Sequence, residues 1–210
     1  MFNALTFDEK LIGAGKFSRL FFAGRKPIYA DGVDYFQIVD EDFNGKLQGN
    51  VYLASVLLDD RTIDNVIDHA LSNKVKVIIS ACRTLAEVGT CDKRYGVTPI
   101  GLAHKFGLLD NAYVSGCVYV DKDDIDLINQ SKARIILTPS TSMGLGEGIP
   151  PARMMMMLGA TVHLGTGLEN YNPDGDLEFE KRLLKLAVSG ALCSKDAISE
   201  TDAKKMLKYS

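Results

Sequence analysis

Four hydroxyl side chains crowd one short stretch of this chain: Thr138, Ser140, Thr141 and Ser142. They follow Arg134-Ile-Ile-Leu137, a run that reads as a strand, and so fall at a strand's C-terminal end. Hydroxyls there can orient a ligand or simply cap loop amides. A serine nucleophile would need a paired base, and the segment shows neither that nor a G-x-S-x-G turn. Gly144-Leu-Gly-Glu-Gly148 lacks the Lys-Ser/Thr ending of a phosphate loop, and Pro150 and Pro151 remove N–H donors an anion would use, so the glycines predict a tight turn. Tyr171-Asn-Pro-Asp-Gly-Asp176 alternates carboxylates without the later Glu of a calcium loop and also reads as a turn. The four cysteines, Cys82, Cys91, Cys117 and Cys193, form no C-x-x-C pair and match no zinc module. They read as reduced thiols. Of the three histidines, His69 and His104 fall in predicted helices and His163 in a predicted strand.

The elements that must position these groups alternate. Val51–Ser55, Val75–Ser80, Ala112–Val120, Arg134–Leu137 and Thr161–Leu164 are β-leaning runs. Between and after them, Thr62–Asn73, Thr98–Phe106, Asp121–Gln130, Pro150–Leu158, Leu177–Ser189 and Glu200–Lys208 carry helical spacing. Asp60 or Thr62 is the expected cap of the first helix and Asp121 that of the third. Short connections between alternating strands and helices imply parallel pairing in an α/β layer fold. Residues 1–50 are broken by Gly24, Pro27, Gly32, Gly45 and Gly49, with Phe17–Ala23 and Tyr35–Val39 as candidate strands. The run Arg153-Met-Met-Met-Met-Leu158 must bury some methionines, and an exposed subset would form an adaptable partner surface.

Bulk properties narrow the class. The chain has 210 residues, 46% hydrophobic and 24% charged, which suits one globular domain. A net charge of -3 gives no electrostatic case for nucleic acid or an anionic membrane. No apolar run approaches spanning length, and the N-terminus lacks a signal-peptide pattern, so the expected compartment is the cytoplasm.

Several segments, in order, resemble one family. Leu137-Thr-Pro-Ser-Thr-Ser-Met-Gly-Leu-Gly-Glu-Gly-Ile-Pro-Pro151 and Gly159-Ala-Thr-Val-His-Leu-Gly-Thr-Gly167 are similar to the last third of metal-dependent amidohydrolase barrels of the cytosine deaminase/chlorohydrolase type. There the loop runs His-Cys-Pro-x-Ser-Asn-x-x-Leu-x-x-Gly-Ile-x-Pro and the strand ends Leu-Gly-Thr-Asp. Lys76–Val88 resembles the family's fifth strand and its loop. Tyr95–Leu109 resembles the helix before the sixth strand, Val114–Asp121 that strand, and Ile198–Met206 the helix after the barrel. The resemblance covers about residues 50–208 and implies a partial or modified (β/α)8 barrel with parallel strands. On it, residues 51–210 form the amidohydrolase-like domain and residues 1–50 an irregular or β segment that completes the barrel. A neighbouring subunit covering the gap is the alternative, since only five strands are clear and perhaps two more.

The same resemblance implies that the chemistry is missing. The family's fifth-strand His ligand falls on Ser80, its proton-shuttling Glu on Arg83, and its sixth-strand His on Gly116. The second His of that strand falls on Tyr119 and the eighth-strand Asp on Gly167. No His precedes His69 to supply the first-strand pair. A divalent ion needs several converging N or O ligands, so neither a metal nor another cofactor is expected. Strand alternation puts His163 on one face with Gly165 and Gly167, pointing into the barrel. Ser80, Arg83, Tyr119 and Glu169, with Thr138, Ser140 and Ser142, would line a polar cleft whose Arg83 favours a small anionic ligand. The expected function is a non-catalytic binding, regulatory or assembly role, as a homo-oligomer or as partner of an active amidohydrolase relative. The alternatives are a C–N hydrolase with altered, metal-independent chemistry, or a metal hydrolase whose ligands lie elsewhere.

Overall fold

The computed structural model describes residues 2–12 and 17–208. Eight strands pair in sequence order, each parallel to the next: β1 (Phe2–Thr6), β2 (Phe17–Gly24), β3 (Val33–Val39), β4 (Asn50–Leu53), β5 (Val77–Ala81), β6 (Tyr113–Gly116), β7 (Arg134–Leu137) and β8 (Val162–Leu164). The sheet then nearly closes on itself. The Leu5 carbonyl of β1 accepts from the Thr166 N–H at 2.9 Å, and Thr6 bridges Gly167 in parallel. The partial (β/α)8 architecture is therefore present, and residues 1–50 supply its first three strands. The sequence showed fewer strands because β1 lies in a Gly-poor but short run with no helix after it to mark its end.

Helices cover only the second half of the barrel. They are α1 (Asp60–Asn73), α2 (Leu85–Tyr95), α3 (Pro99–Lys105), α4 (Lys122–Gln130), α5 (Pro139–Gly144), α6 (Ala152–Met157), α7 (Leu177–Ala191) and α8 (Glu200–Lys205). Before α1, the described residues contain one 3-10 turn, Glu9–Leu11, and extended connections at 25–32 and 40–49. Caps fix the helix starts. Asp59, one residue before the expected cap, accepts from the Thr62 N–H at 3.0 Å. Asp121 and Asp124 form a full capping box on α4.

Two helices lie where loops were expected. α2 opens on Thr84, whose hydroxyl accepts from the Glu87 N–H at 3.1 Å, and closes on left-handed Gly96. α5 carries the hydroxyl cluster itself, with Pro139 in its first turn. The strand expected over Ala112–Val120 stops at Gly116, because Gly116 and Cys117 both take left-handed φ, 85° and 54°.

Inward-facing residues plug the barrel. Leu5, Phe21, Phe36, Ile78, Tyr113 and Ile136 form one buried cluster, with Phe21 5.7 Å from Phe36 and 5.1 Å from Tyr113. Outward residues such as Ile79, Val114, Ile135 and Leu137 join the larger core beneath the helices. The alternation is that of a strand buried on both faces.

Candidate functional site

Above the aromatic plug, at the C-terminal ends of the strands, sits a cavity of about 170 Å³. Its polar walls are Ser80 at the end of β5, Ser115 on β6, Thr138 after β7, and Thr141 and Ser142 on α5. Tyr52, Arg83 and Glu147 complete them. Register explains the convergence. Ser80 pairs with Ser115 across β5 and β6, and both face inward like Ile78 and Tyr113 two residues earlier.

Twin bends then aim the next residues over the opening. Cys82 and Cys117, each the first residue past its strand, share a φ of 54°. The Cys117 N–H donates to the Ala81 carbonyl at 2.9 Å, and the Tyr119 N–H to the Cys82 carbonyl at 2.8 Å. The paired turns lay Arg83 directly across Gly116. A Cβ at 116 would stand 2.6 Å from the Arg83 Cγ and 2.9 Å from the Ala81 carbonyl oxygen. The site thus requires glycine there, for its φ and for the close approach.

Arg83 is anchored. Its Nε donates to Glu147 Oε1 at 2.7 Å, its Nη2 donates to the same oxygen, and its backbone N–H donates to Glu87 Oε2 at 2.7 Å. Glu147 is only 7% exposed, and the Tyr119 hydroxyl donates to its carbonyl at 2.8 Å. Burial disfavours the Arg83 charge, but the hydrogen bonds and charge of Glu147 outweigh it and hold the guanidinium above its ordinary pKa. Burial raises the Glu87 carboxyl, against the pull of Arg83.

The remaining expected residues separate. Ser80, Arg83, Thr138 and Ser142 meet at the cavity, with Tyr119 behind Glu147. Ser140 points away: its N–H and hydroxyl both donate to the buried Glu180 carboxylate. Glu169 pairs with Lys10 at the surface. His163 faces inward, as alternation requires, but pairs in register with Ile136 of the plug rather than with a residue of the mouth. Burial, helped by the Arg134 charge, lowers its pKa to about 4, so it is neutral at ordinary pH. Neither Ser140, Glu169 nor His163 belongs to the cavity. Sequence reasoning missed Tyr52, Ser115 and Glu147. Glu147 sits 64 residues from Arg83 within a run read as a plain turn, and no local signal pairs them. The buried thiols are not poised as nucleophiles: burial raises Cys82 and Cys117 strongly and Cys91 to about 11.

No family model matches the chain. Individual proteins do. A 5-methylthioadenosine/S-adenosylhomocysteine deaminase of Desulforamulus reducens is 29% identical over 147 residues, 67% of this chain and 34% of that protein. Its namesake in Haloarcula marismortui is 32% identical over 138 residues, 65% of this chain and 31% of that protein. A guanine deaminase from C. acetobutylicum superposes with a TM-score of 0.76 over 94% of this chain and 58% of its own, at 15% identity, and shares the fold. The chain is thus similar in sequence to deaminases of the amidohydrolase superfamily and shares their barrel fold. It spans about a third of the length of these curated relatives.

Against the superfamily's metal centre, the residues present do not fit. The position matching its eighth-strand Asp is Gly167, at a φ of 64°. A Cβ there would lie 2.1 Å from the Thr141 hydroxyl oxygen and 3.1 Å from the Thr138 Cβ. That hydroxyl instead accepts from the Leu168 N–H at 2.9 Å. The space for a side chain at 116 is filled by Arg83, and the one at 167 by Thr141. A fixed guanidinium beside the centre would repel a dication. Among the described residues, no group of three or more His, Cys, Asp or Glu side chains could hold a metal ion.

Proposed function

We propose that this amidohydrolase-superfamily chain does not carry out metal-dependent hydrolysis and keeps the barrel mouth as a binding site for a small polar molecule bearing a carboxylate or similar acceptor group. It would act as a non-catalytic binding, regulatory or assembly protein in a reducing, cytoplasmic setting. The observation that carries this reading is the double filling of the mouth: Arg83 over Gly116, and Thr141 against Gly167.

Two further features support binding over an inert plug. Ser80, Thr138 and Ser142, buried residues, line the cavity wall and bring hydroxyls to it. Arg83 also retains donors beyond the two that Glu147 takes. The cavity, at about 170 Å³, is smaller than the roughly 300–1,000 Å³ of pockets for drug-sized ligands, so the molecule is small.

The test is elemental analysis of protein purified without chelator, challenged with zinc and dialysed, alongside ammonia release from 5-methylthioadenosine. No stoichiometric zinc and no ammonia are expected, with small carboxylates raising the Tm of the parent but not of Arg83→Ala. One bound zinc per chain with chelator-sensitive deamination would overturn the reading.

A further inference from the structure

We propose a second binding site on the outside of the barrel, between α6 and α7, which takes a single-chain aliphatic carboxylate. A hollow of about 570 Å³ lies there, more than three times the volume of the mouth and within the range of small-molecule pockets. Met154, Met157 and Leu158 face Val188 and Leu192 across it. Met157 is 73% exposed and Leu192 52% exposed, so large apolar surface stands in water unless something fills the hollow. Met155, by contrast, is buried in the core, so the methionine run splits between packing and this wall. Unbranched methionines adapt to a flexible chain without a fixed shape.

The charge around the hollow selects the head group. Its two charged lining residues, Lys122 and Arg153, are both cations. Neither makes an ion pair among the described residues. The Arg153 Nη1 donates to the carbonyls of Ala197 at 2.8 Å and Asp196 at 3.4 Å, which fixes that side chain. No carboxylate lines the hollow, and Pro150 and Pro151 offer no backbone N–H. An apolar body with an anionic head therefore complements the walls and the rim together. A cationic amphiphile matches only the walls. The hollow lies outside the barrel and shares no lining residue with the mouth, so it stands or falls independently of the mouth's ligand.

Titration calorimetry on the intact protein with decanoate, decan-1-ol and decyltrimethylammonium, below their micelle concentrations, tests the site. Decanoate is expected to saturate at one per chain, with the alcohol weaker and the ammonium weakest. Lys122→Glu should weaken decanoate by about fivefold, in line with the loss of one exposed charge pair and the gain of a repulsion. Ala191→Phe, which fills the hollow, should abolish saturation. Both variants should keep the parent's Tm, and Arg83→Ala should bind decanoate as the parent does. Equal binding of all three amphiphiles would overturn the proposal, as would decanoate binding untouched by Ala191→Phe. So would a light-scattering mass of a dimer that decanoate does not disturb but Met157→Lys does, since the face would then belong to a second copy.

Discussion

Gly116 and Gly167 decide what the mouth can hold, because each lacks the side chain whose space a neighbour has taken. Gly167→Asp returns the superfamily's carboxylate to its position. It should cost about 1–3 kcal/mol, from the left-handed backbone and the displaced Thr141 hydroxyl. Adding Thr141→Ala should recover part of that loss in a urea titration. Neither variant should gain zinc by elemental analysis, because Arg83 stays in place; stoichiometric zinc in the double variant would contradict this. His163 gives a pH signature at the same scale. Its folded pKa of about 4 lies below its ordinary 6.5, so as pH falls the unfolded chain takes the proton first. Stability conferred by the neutral imidazole is complete above pH 6.5 and is lost progressively down to about pH 4. The loss approaches ~3 kcal/mol. Urea unfolding at pH 7 and pH 4.5 should show this increment in the parent and not in His163→Gln.

At the scale of elements, a buried carboxylate joins α5 to α7. Glu180, in the first turn of α7, accepts from the Ser140 N–H at 2.9 Å, from the Ser140 hydroxyl, and from Asn172 Nδ2 at 2.9 Å. Burial raises its pKa, against those three donors. α5 carries Thr141 and Ser142 into the mouth, so this contact positions the candidate site from behind. Glu180→Leu leaves buried donors unmet and should cost about 2–4 kcal/mol. Glu180→Gln, which still accepts, should cost less. Thermal unfolding of the two variants ranks them, and an equal loss would show that the carboxylate's charge rather than its acceptors holds α5. Ser140 is thus a fixing residue for the site, although its place in the sequence suggested a lining one.

For the whole molecule, the seam between the first and last strands carries closure. Thr166 donates its N–H to the Leu5 carbonyl, and the Phe7 N–H reaches the Gly167 carbonyl at 3.4 Å. Thr166→Pro removes the shorter bond and should lower stability by about 2–3 kcal/mol. Hydrogen exchange should then quicken in β1 and β8 before β4 and β5. Uniform acceleration across the sheet would mean that the barrel opens only globally. Among the described residues no α-helix follows any of the first three strands, so their inward aromatics bear much of the packing on that side.

The sequence by itself determined the parallel α/β order and the helix starts at Asp121 and near Asp60. These are local or collinear signals: periodicity, caps and motif spacing are written along the chain. Tertiary structure alone decided the rest. β1 pairs along its length with β2 and closes the barrel through Thr6 and Gly167, a contact between the two ends of the fold that no local pattern announces. α5 formed where hydroxyls and glycines suggested a loop, because Glu180 ties down its first turn. Arg83 met Glu147 only because two left-handed bends turned neighbouring strands the same way. His163 kept the inward face that alternation assigned to it, yet its depth in the barrel set it level with Ile136 of the plug and apart from the mouth. Face follows from a period of two residues, whereas depth depends on the stagger of the strands, which is fixed only when the sheet closes.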